Sequence, residues 1–285
     1  MYEIEWYKDL SDRLMQGLRL DAVPTAVFYS MEPPEGVVQL DRNDLKACAM
    51  LDEARFESKV FYTTIENHEC QQARAFLGLV PIWPEAMSGT WASGDYPDKG
   101  RSMTASPIAW ARQTLYKAKS EGYHGIEAGT VKYVSYAPLD KCSFGPEVGG
   151  GVVVLTCTPN AGMTLFRAAT YKTGAIVPEG TTHLGSTCRS IMAHPYVTGK
   201  MAYTIGCVGG RTFVRVKTEE LFFGFPVEFL EEIVDCMEVQ LRRRPDIDSR
   251  LDQKLGESHI ATPQDRKVQR SGWTKWTSKE TPDYR

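Results

Sequence analysis

Seven cysteines are spread along the 285 residues of this chain, and no two of them form a Cys-x-x-Cys pair. That spacing excludes zinc-ribbon and thioredoxin arrangements, whose thiols come as close pairs. Thiols distant in sequence can still meet in space, so the chemistry turns on which of the seven converge. Cys70 closes the triplet His68-Glu69-Cys70, just after the apolar stretch Val60-Phe61-Tyr62. In an extended segment residues i and i+2 point the same way, so the His68 imidazole and the Cys70 thiol address one site. Such a pair supplies a thiolate nucleophile with its base, or two ligands to one metal; the plainer alternative is a loop histidine capping the next helix. Cys188 and Cys207 flank a short helix and lead into Gly209-Gly210-Arg211, where Arg211 is placed to clamp a carboxylate or phosphate or else is simply an exposed strand arginine. His183 and His194 bracket Cys188 at five and six residues, too far for a ligation motif.

The elements that must position these residues follow from hydrophobic spacing. Ile4, Tyr7, Leu10, Leu14 and Leu18 recur at helical intervals through Leu20. Thr25 to Tyr29 reads as a strand ended by Pro33-Pro34-Glu35-Gly36. Asp44 is a candidate cap for a helix carrying Leu45, Cys48, Ala49 and Leu51. Lys59 to Thr64 is a second strand, and Gln71 to Leu79 a helix that starts beside Cys70. Pro81 to Gly100, with Trp83 and Trp91, suits a long surface loop, and Pro107 to Lys119 a helix. Val131 to Ala137 and Val152 to Cys157 are strands, and Thr158-Pro159 opens the next helix. Ser186 or Thr187 starts a helix through Met192. Met201 to Val208 and Arg211 to Val216 read as a hairpin about Gly209-Gly210, Leu221 to Phe225 as a strand, and Pro226 as the start of a last helix carrying Cys236. Strands and helices mix irregularly, which favours an α+β fold with a mixed, largely antiparallel sheet and flanking helices.

A net charge of −3 gives no electrostatic case for nucleic acid or an acidic membrane surface. The longest apolar run, near Val152-Val153-Val154-Leu155, is far too short to cross a bilayer. The opening Met1-Tyr2-Glu3-Ile4-Glu5-Trp6 lacks the basic start and apolar run of an export signal, and the cysteine count is odd. A reducing cytoplasm is therefore expected. Gly149-Gly150-Gly151 is not followed by Gly-Lys-Ser/Thr and no G-x-G-x-x-G occurs, so nucleotide binding by those routes is unsupported. Periodicity stops at Arg242-Arg243-Arg244-Pro245, which divides the chain into a main domain, 1–241, and an extended charged tail, 242–285. The tail carries 11 Lys/Arg against 7 Asp/Glu, too slight a surplus for nucleic acid, and its isolated Trp273 and Trp276 suit contact with a second copy or a partner subunit.

At His68-x-Cys70, Thr187-Cys188 and Cys207-x-Gly209-x-Arg211 the chain resembles an uncharacterised prokaryotic family, domain-of-unknown-function family 169. The resemblance runs from about Leu20 to Leu241 and includes Pro24-Thr25-Ala26-Val27-Phe28 and Glu32-Pro33-Pro34-Glu35-Gly36. Members carry a cysteine in the first helix after that strand, which Cys48 matches. The chain departs from the family's motifs at Asn67, Gln71-Gln72, Arg189-Ser190, Val208 and Gly210, so the cysteines persist while their neighbours change.

The resemblance thus singles out Cys48, Cys70, Cys188 and Cys207, and four thiolates from distant segments are the ligand set of an iron–sulfur cluster or a structural zinc. The leading expectation is a cytoplasmic protein whose four cysteines hold an iron–sulfur cluster or other metal for redox or cluster-assisted chemistry on a small molecule. The anaerobic setting is implied by the resemblance. One alternative is a metal-free enzyme with Cys70 or Cys188 as nucleophile, His68 assisting and Arg211 binding an anionic substrate. Another is a non-catalytic subunit or small-molecule-binding module. The bland reading of any one cysteine is a small buried hydrophobe.

Overall fold

Tyr7, Leu10, Leu14 and Leu18 bury one stripe of the first helix, α1 (Ile4–Leu18), as their spacing requires. The computed structural model describes residues 4–81, 125–145, 149–174 and 185–243. Trp83, Trp91, the helix expected at 107–119, His183, Trp273 and Trp276 lie outside the described residues. The chain divides into two units, Met1–Glu238 and Val239–Arg285. The first holds the sheet and the cysteines; of the second, only the end of one helix is described.

Six strands form one antiparallel sheet: β1 (Thr25–Ser30), β2 (Phe61–Thr63), β3 (Tyr133–Pro138), β4 (Gly151–Cys157), β5 (Ala202–Thr204) and β6 (Leu221–Pro226). Their order is β2-β3-β1-β4-β6-β5, which gives the α+β class its observed form. β1 and β4 are buried along nearly their whole length because helices cover both faces of the sheet. Alternation puts Val27 and Tyr29 of β1, Val134 and Tyr136 of β3, and Val152 and Val154 of β4 on one face. Over that face lie α2 (Ala47–Arg55), α3 (Gln71–Phe76) and a π-helix (Thr187–Ala193), whose Met50, Phe76, Ile191 and Met192 join those strand residues in one apolar cluster. On the other side α4 (Pro159–Ala169) packs on β4 and β6. Gly162 makes that approach possible, since a Cβ there would stand 2.4 Å from the Phe223 ring. The remaining helices are α5 (His194–Thr198), α6 (Val208–Phe213) and α7 (Leu230–Arg243).

Several local expectations are corrected. Residues 201–216 do not make a hairpin: β5 pairs with β6, and Gly209-Gly210 lie inside α6 with Cys207 as its N-cap. The glycine at 210 serves close approach rather than a turn, because a Cβ there would come within 2.2 Å of Thr187 Oγ1. Asp44 does not cap α2; Lys46 is the N-cap, and Asp44 pairs with Arg42 at 2.9 Å. β6 runs through Pro226, so the last helix starts at Leu230 after a 3-10 turn. Among the described residues no helix is long and apolar enough to cross a membrane.

Cys236 of α7 is only 4% exposed. Cys236→Ala is expected to lower stability by about 1–2 kcal/mol, read from urea unfolding, because it removes a packed sulfur. The sites described below should be unaffected by it.

Candidate cysteine site

Each of the four cysteines singled out by motif stands at the start of a helix. Cys48 is the second residue of α2, Cys70 the N-cap of α3, Cys188 the second residue of the π-helix and Cys207 the N-cap of α6. The segments just before α2 and α3 are tied together. Leu45 and His68 form a parallel bridge, Glu69 N–H donates to Leu45 O at 3.0 Å, and Lys46 Nζ pairs with Glu69 at 2.6 Å. Asn67 donates to the carbonyls of Leu40 and Arg42 at 2.8 and 2.7 Å, and Arg74 Nε to that of His68 at 2.6 Å. These contacts fix where α2 and α3 begin, and so where Cys48 and Cys70 lie.

Glycines bring the other two helices in. Gly185 sits at φ 76°, and a Cβ there would stand 2.7 Å from the Phe76 ring of α3. Its carbonyl accepts from Cys188 Sγ at 3.2 Å and from Arg189 N–H at 2.9 Å. Gly224 of β6 lies directly beneath the π-helix, since its Cβ would fall 2.0 Å from Ile191 O. Thr187 Oγ1 is 3.7 Å from Cys207 Sγ, which joins the π-helix to the start of α6. A π-helix is uncommon and is found disproportionately at functional sites.

The four thiols act on one another. Burial, then Cys207 and Cys70, push the Cys48 thiol up to about 12. Burial, then Cys70, Cys207 and Cys48, push Cys188 well above the usual thiol range. Cys70 is raised mainly by burial, while the amides of Ala73 and Gln72 at the start of α3 and the charge of Lys46 oppose this. Gly210 N–H donates to Cys207 Sγ at 3.3 Å. Left to themselves, clustered buried thiols stay protonated at neutral pH, whereas a bound metal removes the protons outright. Among the described residues, no group of three or more His, Cys, Asp or Glu side chains is arranged to hold a single metal ion. The four sulfurs come from four segments, with backbone amides at the starts of α3 and α6 directed at Cys70 and Cys207. Cys142, Cys157 and Cys236 answer to other neighbours: Cys142 to Tyr7, Cys157 to Glu220, and Cys236 to Lys172.

His68 and Arg211 are turned elsewhere. Thr63 Oγ1 donates to Val134 O at 3.0 Å, so at 3.0 Å from His68 Nε2 it accepts that ring's N–H. His68 is fully buried, and burial with the nearby Arg74 lowers its pKa to about 3. The ring is therefore neutral and braces the approach to α3 against β2. Arg211 donates to the carbonyls of Ile205, Lys217 and Glu220 at 2.6, 2.9 and 2.6 Å and covers the Phe222 ring. Its guanidinium binds the backbone around α6, which steadies Cys207.

Two residues absent from the motif reading share this layer. Tyr29 and Tyr136 lie in the same cluster as Cys48 and Cys188, and neither hydroxyl has a hydrogen-bond partner among the described residues. Only strand alternation could have flagged them, and it marks them simply as core.

The pattern of the uncharacterised ArCR family, domain-of-unknown-function family 169, matches residues 13–235. An uncharacterized protein of Methanocaldococcus jannaschii, MJ0308, is similar at 27% identity over 240 residues, covering 83% of this chain and 95% of that protein. No solved structure matches significantly.

Proposed function

The chain belongs to the uncharacterised ArCR family, and we propose that it holds an iron–sulfur cluster on Cys48, Cys70, Cys188 and Cys207 for redox or cluster-assisted chemistry on a small molecule. The observation that carries this reading is that the four cysteines begin four helices gathered on one face of the sheet, with Cys48 and Cys188 in one apolar cluster, Cys70 packed against it, and Cys207 Sγ 3.7 Å from Thr187 Oγ1 of the π-helix. Thiolates at that density repel, so they coexist only around a group of opposite charge. A lone tetrahedral ion with ~2.3 Å thiolate bonds draws its sulfurs to within roughly 4 Å of each other, whereas a polynuclear cluster spreads them further.

Bound there, a cluster would supply electron transfer or a Lewis-acidic iron. The chain's own residues would hold it by sulfur and donate to those sulfurs from the amides of Gly210, Ala73 and Gln72. Amide donors of this kind favour the electron-rich form of a sulfur-ligated site. The family resemblance implies an anaerobic cytoplasm, a setting that suits an oxygen-sensitive iron–sulfur centre. A metal-free nucleophile has weaker support, because attack requires thiolate and burial raises Cys48, Cys70 and Cys188 away from it.

Full-length protein purified without oxygen should be brown and carry iron and acid-labile sulfide in comparable amounts. Absorption spectroscopy and metal analysis read this directly. A colourless protein with zinc, or with no metal, would overturn the proposal.

A further inference from the structure

We propose that the hydroxyls of Tyr29 and Tyr136 form a paired donor site for an electron-rich acceptor seated beside Cys188, giving the cysteine site a polar wall as well as sulfur ligands. Tyr29 on β1 and Tyr136 on β3 are 1% and 0% exposed. The strands are neighbours, with Val27 opposite Tyr136, so the two phenols are diagonal partners on the face that α2 and the π-helix cover. α2, which carries Cys48, packs on both strands. Neither hydroxyl has a partner among the described residues.

A buried hydroxyl without a partner is costly, and phenylalanine would fill nearly the same space without that cost. Two such groups side by side therefore call for a partner that binds. Gln72 Nε2, two residues after Cys70, and Ser186 Oγ, two residues before Cys188, are buried without partners as well. All four can donate, and an acceptor is the one partner type that every one of them could bind. Burial, then Tyr136, Tyr196 and Cys188, hold the Tyr29 phenol well above the usual range, and burial, then Cys188 and Cys48, do the same for Tyr136. Both phenols are protonated donors at neutral pH.

Two sources share this acceptor chemistry. One is the sulfur of a bound cluster. The other is a small oxyanion such as formate. Only the cluster source rests on the proposed function.

The test uses full-length protein purified without oxygen as wild type, Tyr29→Phe, Tyr136→Phe and the double variant. Potentiometric titration reads the cluster, and quenching of intrinsic fluorescence by formate reads the oxyanion. Tyr7→Phe is the control, since that hydroxyl donates to Phe144 O at 2.8 Å. If sulfur is the acceptor, each Phe variant shifts the reduction potential negative and speeds iron loss to a chelator several-fold. If an oxyanion is the acceptor, formate binding weakens about tenfold per hydroxyl while the potential holds. Either pattern, with Tyr7→Phe unchanged, supports the proposal. It is overturned if the double variant matches wild type in both readouts, or if wild type binds neither iron nor formate. Wild type lacking iron but binding formate would fail the cluster reading alone, and the formate series would still decide the phenols.

Discussion

Cys188→Ala protein, purified without oxygen, should retain less than about a tenth of the wild-type iron, because a structural metal site that loses a thiolate loses most of its affinity. Cys48→Ala, Cys70→Ala and Cys207→Ala should do the same. Cys142→Ala, Cys157→Ala and Cys236→Ala should keep their iron, since those thiols answer to Tyr7, Glu220 and Lys172 rather than to the four. The contrast separates ligation from folding. Cys188 and Cys157 are both buried, at 5% and 3% exposure, so removing either sulfur carries a similar packing cost of about 1–2 kcal/mol. Only one of them should cost iron. Metal analysis on cooperatively unfolding variants checks this. Iron that survives loss of any one of the four would shrink the ligand set, and iron lost equally from all seven variants would point to general destabilisation.

How much of this was legible in the sequence depends on the range of the signal. The thiols at 48, 70, 188 and 207 could be picked out because their motifs persist while their neighbours change, and two of their helix starts, at Gln71 and Thr187, follow from local spacing. The strands at 25–30, 151–157 and 221–226 are apolar runs and were readable as such, although their order in the sheet was not. Gly209-Gly210 misled because the same dipeptide that suits a tight turn also suits a helix pressed on a neighbour. Which applies depends on Thr187, more than twenty residues away in sequence, whose Oγ1 would lie 2.2 Å from a Cβ at 210. Arg211 sits in a setting the hairpin reading did not contain, since its three carbonyl acceptors come from Ile205, Lys217 and Glu220. The phenols gave no sign at all. Tyr29 and Tyr136 are separated by more than a hundred residues and meet only through the pairing of β1 with β3.

Stability should fall as the medium is acidified from pH 7, with His68 as the main cause. The ring is fully buried, bonded through Nε2 to Thr63, and lowered by burial and Arg74 from 6.5 to about 3. Between those values the unfolded chain holds a proton at this position that the folded chain does not. Unfolding free energy therefore rises with pH across the window: the full stability is present above about 6.5 and is lost progressively as pH falls toward 3. Each pH unit is worth about 1.4 kcal/mol, so moving from pH 7 to 5 should cost on the order of 2 kcal/mol through this residue. His194, lowered by burial and then by Lys200 and Arg189, adds to the loss in the same direction. His68→Gln keeps a donor for Thr63 and cannot be protonated, so its stability should change far less over the same range. Asp44 and Glu66 are lowered from 3.8 and 4.5, so the losses they add begin near those values, below the pH 7 to 5 comparison. Urea midpoints of wild type and His68→Gln at pH 7 and 5 give the comparison. Equal losses in the two proteins would mean that the His68 ring is solvated or charged in the folded chain, and the brace between β2 and the start of α3 would have to be redrawn.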